Sequence, residues 1–114
     1  MFRLVLFDID GTLIRTHGAG VRAFAATFDE VFNLPQATET LSFAGRTDRG
    51  LVEEVFEQNQ IDRTKQNVDR FFKAYLSRLT DFLPSDQREP LPGTRELIAH
   101  LRGRPDTPVI GLLT

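Results

Sequence analysis

The sequence predicts an α/β fold: a parallel-sheet core interrupted by a long helical insertion. Two observations carry this. Apolar runs without alternation, Leu4-Val5-Leu6-Phe7 and Val109-Ile110-Gly111-Leu112-Leu113, stand near the two ends of the chain and have the character of strands covered on both faces. Between them the apolar residues recur at helical spacing. A parallel crossover needs only about a dozen residues, and this connector is far longer, so it is expected to hold a helical module of its own.

The elements follow in order. Val21, Phe24, Ala25, Phe28 and Phe32 fall on one helix face, which ends near Asn33 and Pro35. Leu51, Val52, Val55 and Phe56 form a shorter amphipathic stretch, and a polar turn follows from Gln58 to Asp62. Thr64 is placed to cap the next helix, whose face carries Val68, Phe71, Phe72, Tyr75, Leu76, Leu79, Phe82 and Leu83. Pro84 to Gly93, "PSDQREPLPG", reads as a polar, proline-rich linker. A last helix bears Leu97, Ile98 and Leu101, with Gly103 as its C-cap. The helical module is expected over residues 16–85 and the core over 1–15 and 86–114. Most of the ten phenylalanines fall on helix faces, where they serve helix-to-helix packing. Two strands are too few for a stable open sheet, so further chain is expected after Thr114.

Composition removes several function classes. The 114 residues contain 14 basic and 16 acidic side chains, a net charge of -2, which gives no electrostatic footprint for nucleic acid or an anionic membrane. There is no cysteine, so disulfides, thiolate nucleophiles and cysteine metal sites are excluded. The first apolar run stops at Asp8, too short for a signal peptide or a membrane span. A cytoplasmic protein is expected.

The chemistry centres on "DIDGT", Asp8-Ile9-Asp10-Gly11-Thr12, at the end of the first strand. Asp-Gly between apolar runs is also a strong hairpin signal. Against a hairpin, the returning strand would be Thr12-Leu13-Ile14, and its pattern dies at Arg15-Thr16-His17-Gly18.

An Asp-x-Asp-Gly-Thr run after an N-terminal apolar strand resembles the first motif of the haloacid dehalogenase-like hydrolase superfamily. The order of strand, helical stretch, "PLPG" before a helix, then "VIGLLT" resembles its phosphatase subgroup with an all-helical cap inserted after that motif. The resemblance implies a Rossmann-like core and a Mg²⁺-dependent phosphatase acting on a small phosphorylated metabolite. Asp8 would be the nucleophile that forms an aspartyl-phosphate, and Asp10 the general acid and base. Gly11 would let the backbone turn sharply and approach the phosphate. Thr12, through its hydroxyl and N–H, and Thr114, at the end of the second core strand, would bind it. Mg²⁺ would take the Asp8 carboxylate and the Asp10 carbonyl, hard oxygen donors suited to it. A second carboxylate favours phosphoester chemistry over dehalogenation, since expelling an alkoxide needs an acid and expelling a halide does not. Relatives carry a phosphate-binding lysine and a later acidic metal motif after the second core strand. The 114 residues are therefore expected to be a truncated form, inactive alone. A phosphomutase of the same fold and a non-catalytic helical binding module are the alternatives.

Three further features are weaker. "HGAG", His17 to Gly20, is either a hinge with two glycines or a plain loop into the helix, with His17 solvated. "AGRTDRG", Ala44 to Gly50, resembles a cap loop facing the active site. Arg46 would then bind a substrate phosphate or carboxylate, while Thr47 or Asp48 caps the helix behind it. Arg95, His100, Arg102 and Arg104 read as a solvated helix end. Neither the substrate nor an oligomeric state follows from these residues.

Overall fold

The structure, a computed structural model, describes residues 2–83 and 89–113. The chain divides into two compact units: Met1–His17 with Ser85–Thr114, and Gly18–Pro84.

The first unit is built on a parallel strand pair. Strand β1 (Leu4–Asp8) lies beside β4 (Val109–Leu113), with Leu4 opposite Val109 and Asp8 opposite Leu113. Together with the helix α4 (Thr94–Arg102) this is a Rossmann-like α/β arrangement. The pleat puts Val5 and Phe7 on one face and Leu4 and Leu6 on the other. Phe7 is buried, whereas Leu4 and Leu6 are about half exposed. In β1 the face of Val5 and Phe7 is thus the better covered, while in β4 Val109, Leu112 and Leu113 are each more than half exposed. Leu6 lies across Gly111, where a Cβ would come within 3.0 Å of its Cδ2. The one glycine of β4 thus stands opposite this leucine.

Ahead of α4 lies the expected linker. Its residues 84–88 lie outside the described residues. Glu89–Pro90 forms a short strand, β3, antiparallel to β2 (Ile14–Arg15). A two-residue ribbon is too short to leave a periodic signal, which is why the sequence showed only prolines there. Leu91-Pro92-Gly93-Thr94 then forms a turn closed by the Thr94 N–H on the Leu91 carbonyl at 3.1 Å. Gly93 has φ 84 and ψ −10. Proline second and a left-handed glycine third is the chemistry of a type II turn. Helix α4 closes at Gly103, as expected, with its N–H on the Ala99 carbonyl.

The second unit is helical: α1 (Ala19–Phe32), α2 (Asp48–Gln58) and α3 (Lys65–Phe82). Helix α1 stops where Asn33 turns left-handed, φ 56, and returns its N–H to the Phe28 carbonyl. Asparagine tolerates that conformation, and Pro35 beyond it cannot continue a helix. Thr47 and Thr64 cap α2 and α3, accepting the N–H groups of Gly50 and Asn67 at 3.1 and 3.2 Å.

The core is an aromatic cluster between α1 and α3. Phe28 and Phe71 lie 4.7 Å apart, Phe24 and Phe71 4.9 Å, and Tyr75 stacks on Phe71. Phe56 from α2 meets Phe28 edge-on. Leu51, Val52 and Val55 complete the cluster, and the one buried polar side chain among the described residues, Thr27, donates to the Ala23 carbonyl. Two positions of the predicted apolar stripes face outward instead: Val21 and Leu76 are 43% and 61% exposed. The large rings fill the seam, and residues at the edge of each stripe are left at its rim.

Thr64→Ala tests the α3 cap. It removes the side-chain acceptor of the Asn67 N–H and is expected to cost about 1 kcal/mol in urea unfolding, whereas an unchanged midpoint would show that α3 does not need it. Among the described residues, no helix is long and apolar enough to cross a membrane.

Candidate active site

Because β1 and β4 are parallel, both carboxyl ends open at Asp8 and Leu113, the side of such sheets where ligands bind. Asp8 and Asp10 are exposed and Ile9 between them is half-buried. The chain does not fold back on β1 as a hairpin. Ile14 and Arg15 pair with β3, and Asp10 bridges Ile14 in the parallel sense.

A tight loop follows Asp8 instead. The Ile9 carbonyl gathers the N–H groups of Leu13 at 2.9 Å, Ile14 at 3.2 Å and Thr12 at 3.3 Å, while the Gly11 N–H donates to the Ile14 carbonyl at 3.0 Å. Gly11 has φ 75 with open space where a Cβ would stand. Its backbone conformation, rather than crowding, is what asks for glycine. Thr12 is exposed, but its N–H, expected to meet a phosphate, is turned into the loop at the longest of these distances.

Two groups that sequence inspection did not single out hold this loop. Thr16 Oγ1 donates to Asp10 Oδ1 at 3.2 Å, so the second aspartate is steadied from within its own segment. The Leu13 carbonyl accepts both the Leu91 N–H at 2.9 Å and Thr94 Oγ1 at 3.3 Å. A Thr six positions after Asp10 was a visible signal; the Thr94 partnership, 81 positions away, was not.

The "HGAG" segment also differs from expectation. His17 is not simply solvated. It adopts φ 54, and its Nε2 lies 3.6 Å from Glu89 Oε1, which also takes Arg15 Nη1 at 3.3 Å. Of the two glycines, Gly18 has the left-handed φ of 78 and caps α1, whereas Gly20 lies inside α1. Only the first has the backbone freedom of a hinge.

In the helical unit, Arg46 stands just before the Thr47 cap and is ion-paired with Glu54 of α2, each side chain about one-third exposed. Glu54 also receives Gln58 Nε2 at 3.4 Å. Partial burial pushes the Asp48 carboxyl up from its ordinary value. A groove of this unit, about 420 Å³, is lined by Val31, Arg70, Lys73, Ala74, Ser77 and Arg78, and holds none of the expected site residues. Two of its cations have structural partners: Arg70 donates to the Val31 carbonyl at the end of α1, and Arg78 pairs with Glu30. Thr114, expected to bind phosphate, lies outside the described residues. Arg104, expected at a solvated helix end, lies past α4 and forks onto Asp106 at 3.0 and 3.1 Å, which holds the Asp106 carboxyl below its ordinary value.

The first unit is an α/β unit with Asp8 at the carboxyl end of its first strand and Asp10 two residues on. A family model for the haloacid dehalogenase-like hydrolases matches residues 5–105, and the chain belongs to that family. No individual curated protein matches it.

The donor chemistry at the loop fits a hard divalent cation: a carboxylate and a backbone carbonyl, both oxygen. Among the described residues, no group of three or more His, Asp or Glu side chains able to hold a metal occurs.

Proposed function

We propose that this hydrolase is a Mg²⁺-dependent phosphatase acting on a small phosphorylated metabolite through an aspartyl-phosphate on Asp8. The observation that carries the reading is the pairing of an exposed Asp8 at the strand end with an Asp10 held by Thr16. One carboxylate is open to attack phosphorus, and the other is restrained where a proton must be passed.

The chemistry divides between them. An Asp8 carboxylate oxygen forms a bond to phosphorus as the bond to the leaving oxygen breaks, and Asp10 gives its proton to that oxygen. Water then attacks the aspartyl-phosphate. Asp10 takes the water proton, the Asp8–phosphorus bond breaks, and inorganic phosphate leaves. Asp8 and the Asp10 carbonyl would hold Mg²⁺, which when bound offsets the negative charge gathered on the phosphoryl oxygens. Gly11 and Thr12 would face the phosphate. Thr12 would do so through its hydroxyl, since its N–H is engaged by Ile9. Residues 16–85 would act as the cap over the site, with Arg46 binding an anionic group of the substrate. The Glu54 carboxylate already neutralises part of that guanidinium, so a substrate group would share or displace it.

The test is inorganic phosphate release from a panel of phosphomonoesters by the protein as its gene encodes it, with and without Mg²⁺. Metal-dependent release supports the reading. Turnover of a sugar phosphate without released phosphate would replace it with a phosphomutase.

A further inference from the structure

The carbonyl of Leu13, just ahead of the β2–β3 ribbon, is one point where the loop carrying Asp10 is tied to the rest of its unit. Inside the loop, the N–H groups of Gly11, Thr12, Leu13 and Ile14 are all spent on Ile9 and Ile14. Leu13 turns its carbonyl to another segment, and both of its lone pairs are used there, by the Leu91 N–H and by Thr94 Oγ1. The two donors come from the two ends of one type II turn. That turn is fixed by Pro92 and the left-handed Gly93 and closed by the Thr94 N–H on Leu91.

The Thr94 hydroxyl has no capping duty that would explain it. Gly93, not Thr94, holds the N-cap position of α4, and no side chain caps that helix. Thr94 is half-buried, and its hydroxyl reaches back to the loop rather than to its own helix.

We propose that Thr94 is a positioning residue for the acid–base loop. Its hydroxyl and the Leu91 N–H hold the Leu13 carbonyl from two directions, and so keep the Asp10 carboxyl where it can pass a proton. The inference rests on the reading of Asp10 as general acid given above. Losing one of the two donors lets the carbonyl swing about the other. A displacement of an ångström or so at a proton-transferring group is felt strongly in rate.

The leaving group separates this role from mere support of the fold. A phenolate needs protonation as it departs, whereas a p-nitrophenolate departs well without it. For the protein as its gene encodes it, Thr94→Val is expected to lower kcat/KM for phenyl phosphate about tenfold, a fraction of what general acid catalysis supplies. For p-nitrophenyl phosphate the change should stay within about twofold, and Thr94→Ser should restore both. An equal fall on the two esters, or no fall on either, would overturn the proposal. If Thr94→Val does not fold, Thr94→Ala takes the same measurement.

Asp10→Asn is the control. It should show the same leaving-group dependence, more strongly. If it does and Thr94→Val does not, the inference on Thr94 alone fails. If Asp10→Asn shows none, or the native protein turns over neither ester, the general-acid reading falls and the inference falls with it.

Discussion

Asp8→Asn is expected to lower kcat by roughly 10⁴-fold or more, the scale on which removing a covalent nucleophile acts. The amide keeps the size of the carboxylate and loses its charge, so it cannot form the bond to phosphorus. Asp8 is exposed at the end of β1, and an exposed isosteric change of this kind usually moves stability by less than about 0.5 kcal/mol. Thermal unfolding and turnover measured on the same preparation separate the two effects. Retained turnover in a folded Asp8→Asn protein would rule Asp8 out as the nucleophile. A binding module would show no rate to lose.

Phe71→Ala is expected to be the most damaging change in the helical unit, at about 3–5 kcal/mol. Phe71 is fully buried, and its ring meets Phe24, Phe28, Phe72 and Tyr75. Truncation removes the transfer energy of a ring and leaves a cavity walled by other rings, which repack poorly because their rotamers are few. That cost is a large share of the roughly 5–15 kcal/mol that holds an ordinary domain together. Urea unfolding followed by helix content reads it. A loss below about 1 kcal/mol would mean that the aromatic seam between α1 and α3 is not the core of this unit.

Local chemistry made much of the molecule legible in advance. Thr64 announced one helix start, Thr47 or Asp48 another, where the cap is Thr47, and Asn33 with Pro35 a helix end, because caps and breakers act within a few residues of themselves. The phenylalanine periodicity located the seam. It misplaced Val21 and Leu76, since a helix stripe does not reveal how wide a strip its partner covers. The two apolar runs located β1 and β4, but continuity alone could not say that Leu4 and Leu6 would lie about half exposed.

At the candidate site, the aspartates and the left-handed glycine of "DIDGT" stood in one short segment and could be read there. The ribbon of β2 and β3, the His17–Glu89 pair, the Arg46–Glu54 pair and the Thr94 hydroxyl on Leu13 could not. Each joins residues whose separate neighbourhoods carry no trace of the other, and the ribbon is too short to show a period.

The most direct test of the central claim is to trap the acyl phosphate. The protein as its gene encodes it would be mixed with a turned-over phosphomonoester and Mg²⁺, quenched, reduced with borohydride and digested for mass spectrometry. An aspartyl-phosphate at Asp8 predicts a peptide in which that residue alone has been reduced to homoserine, absent without substrate. Steady turnover with an unmodified Asp8, or reduction at Asp10 instead, would contradict the account.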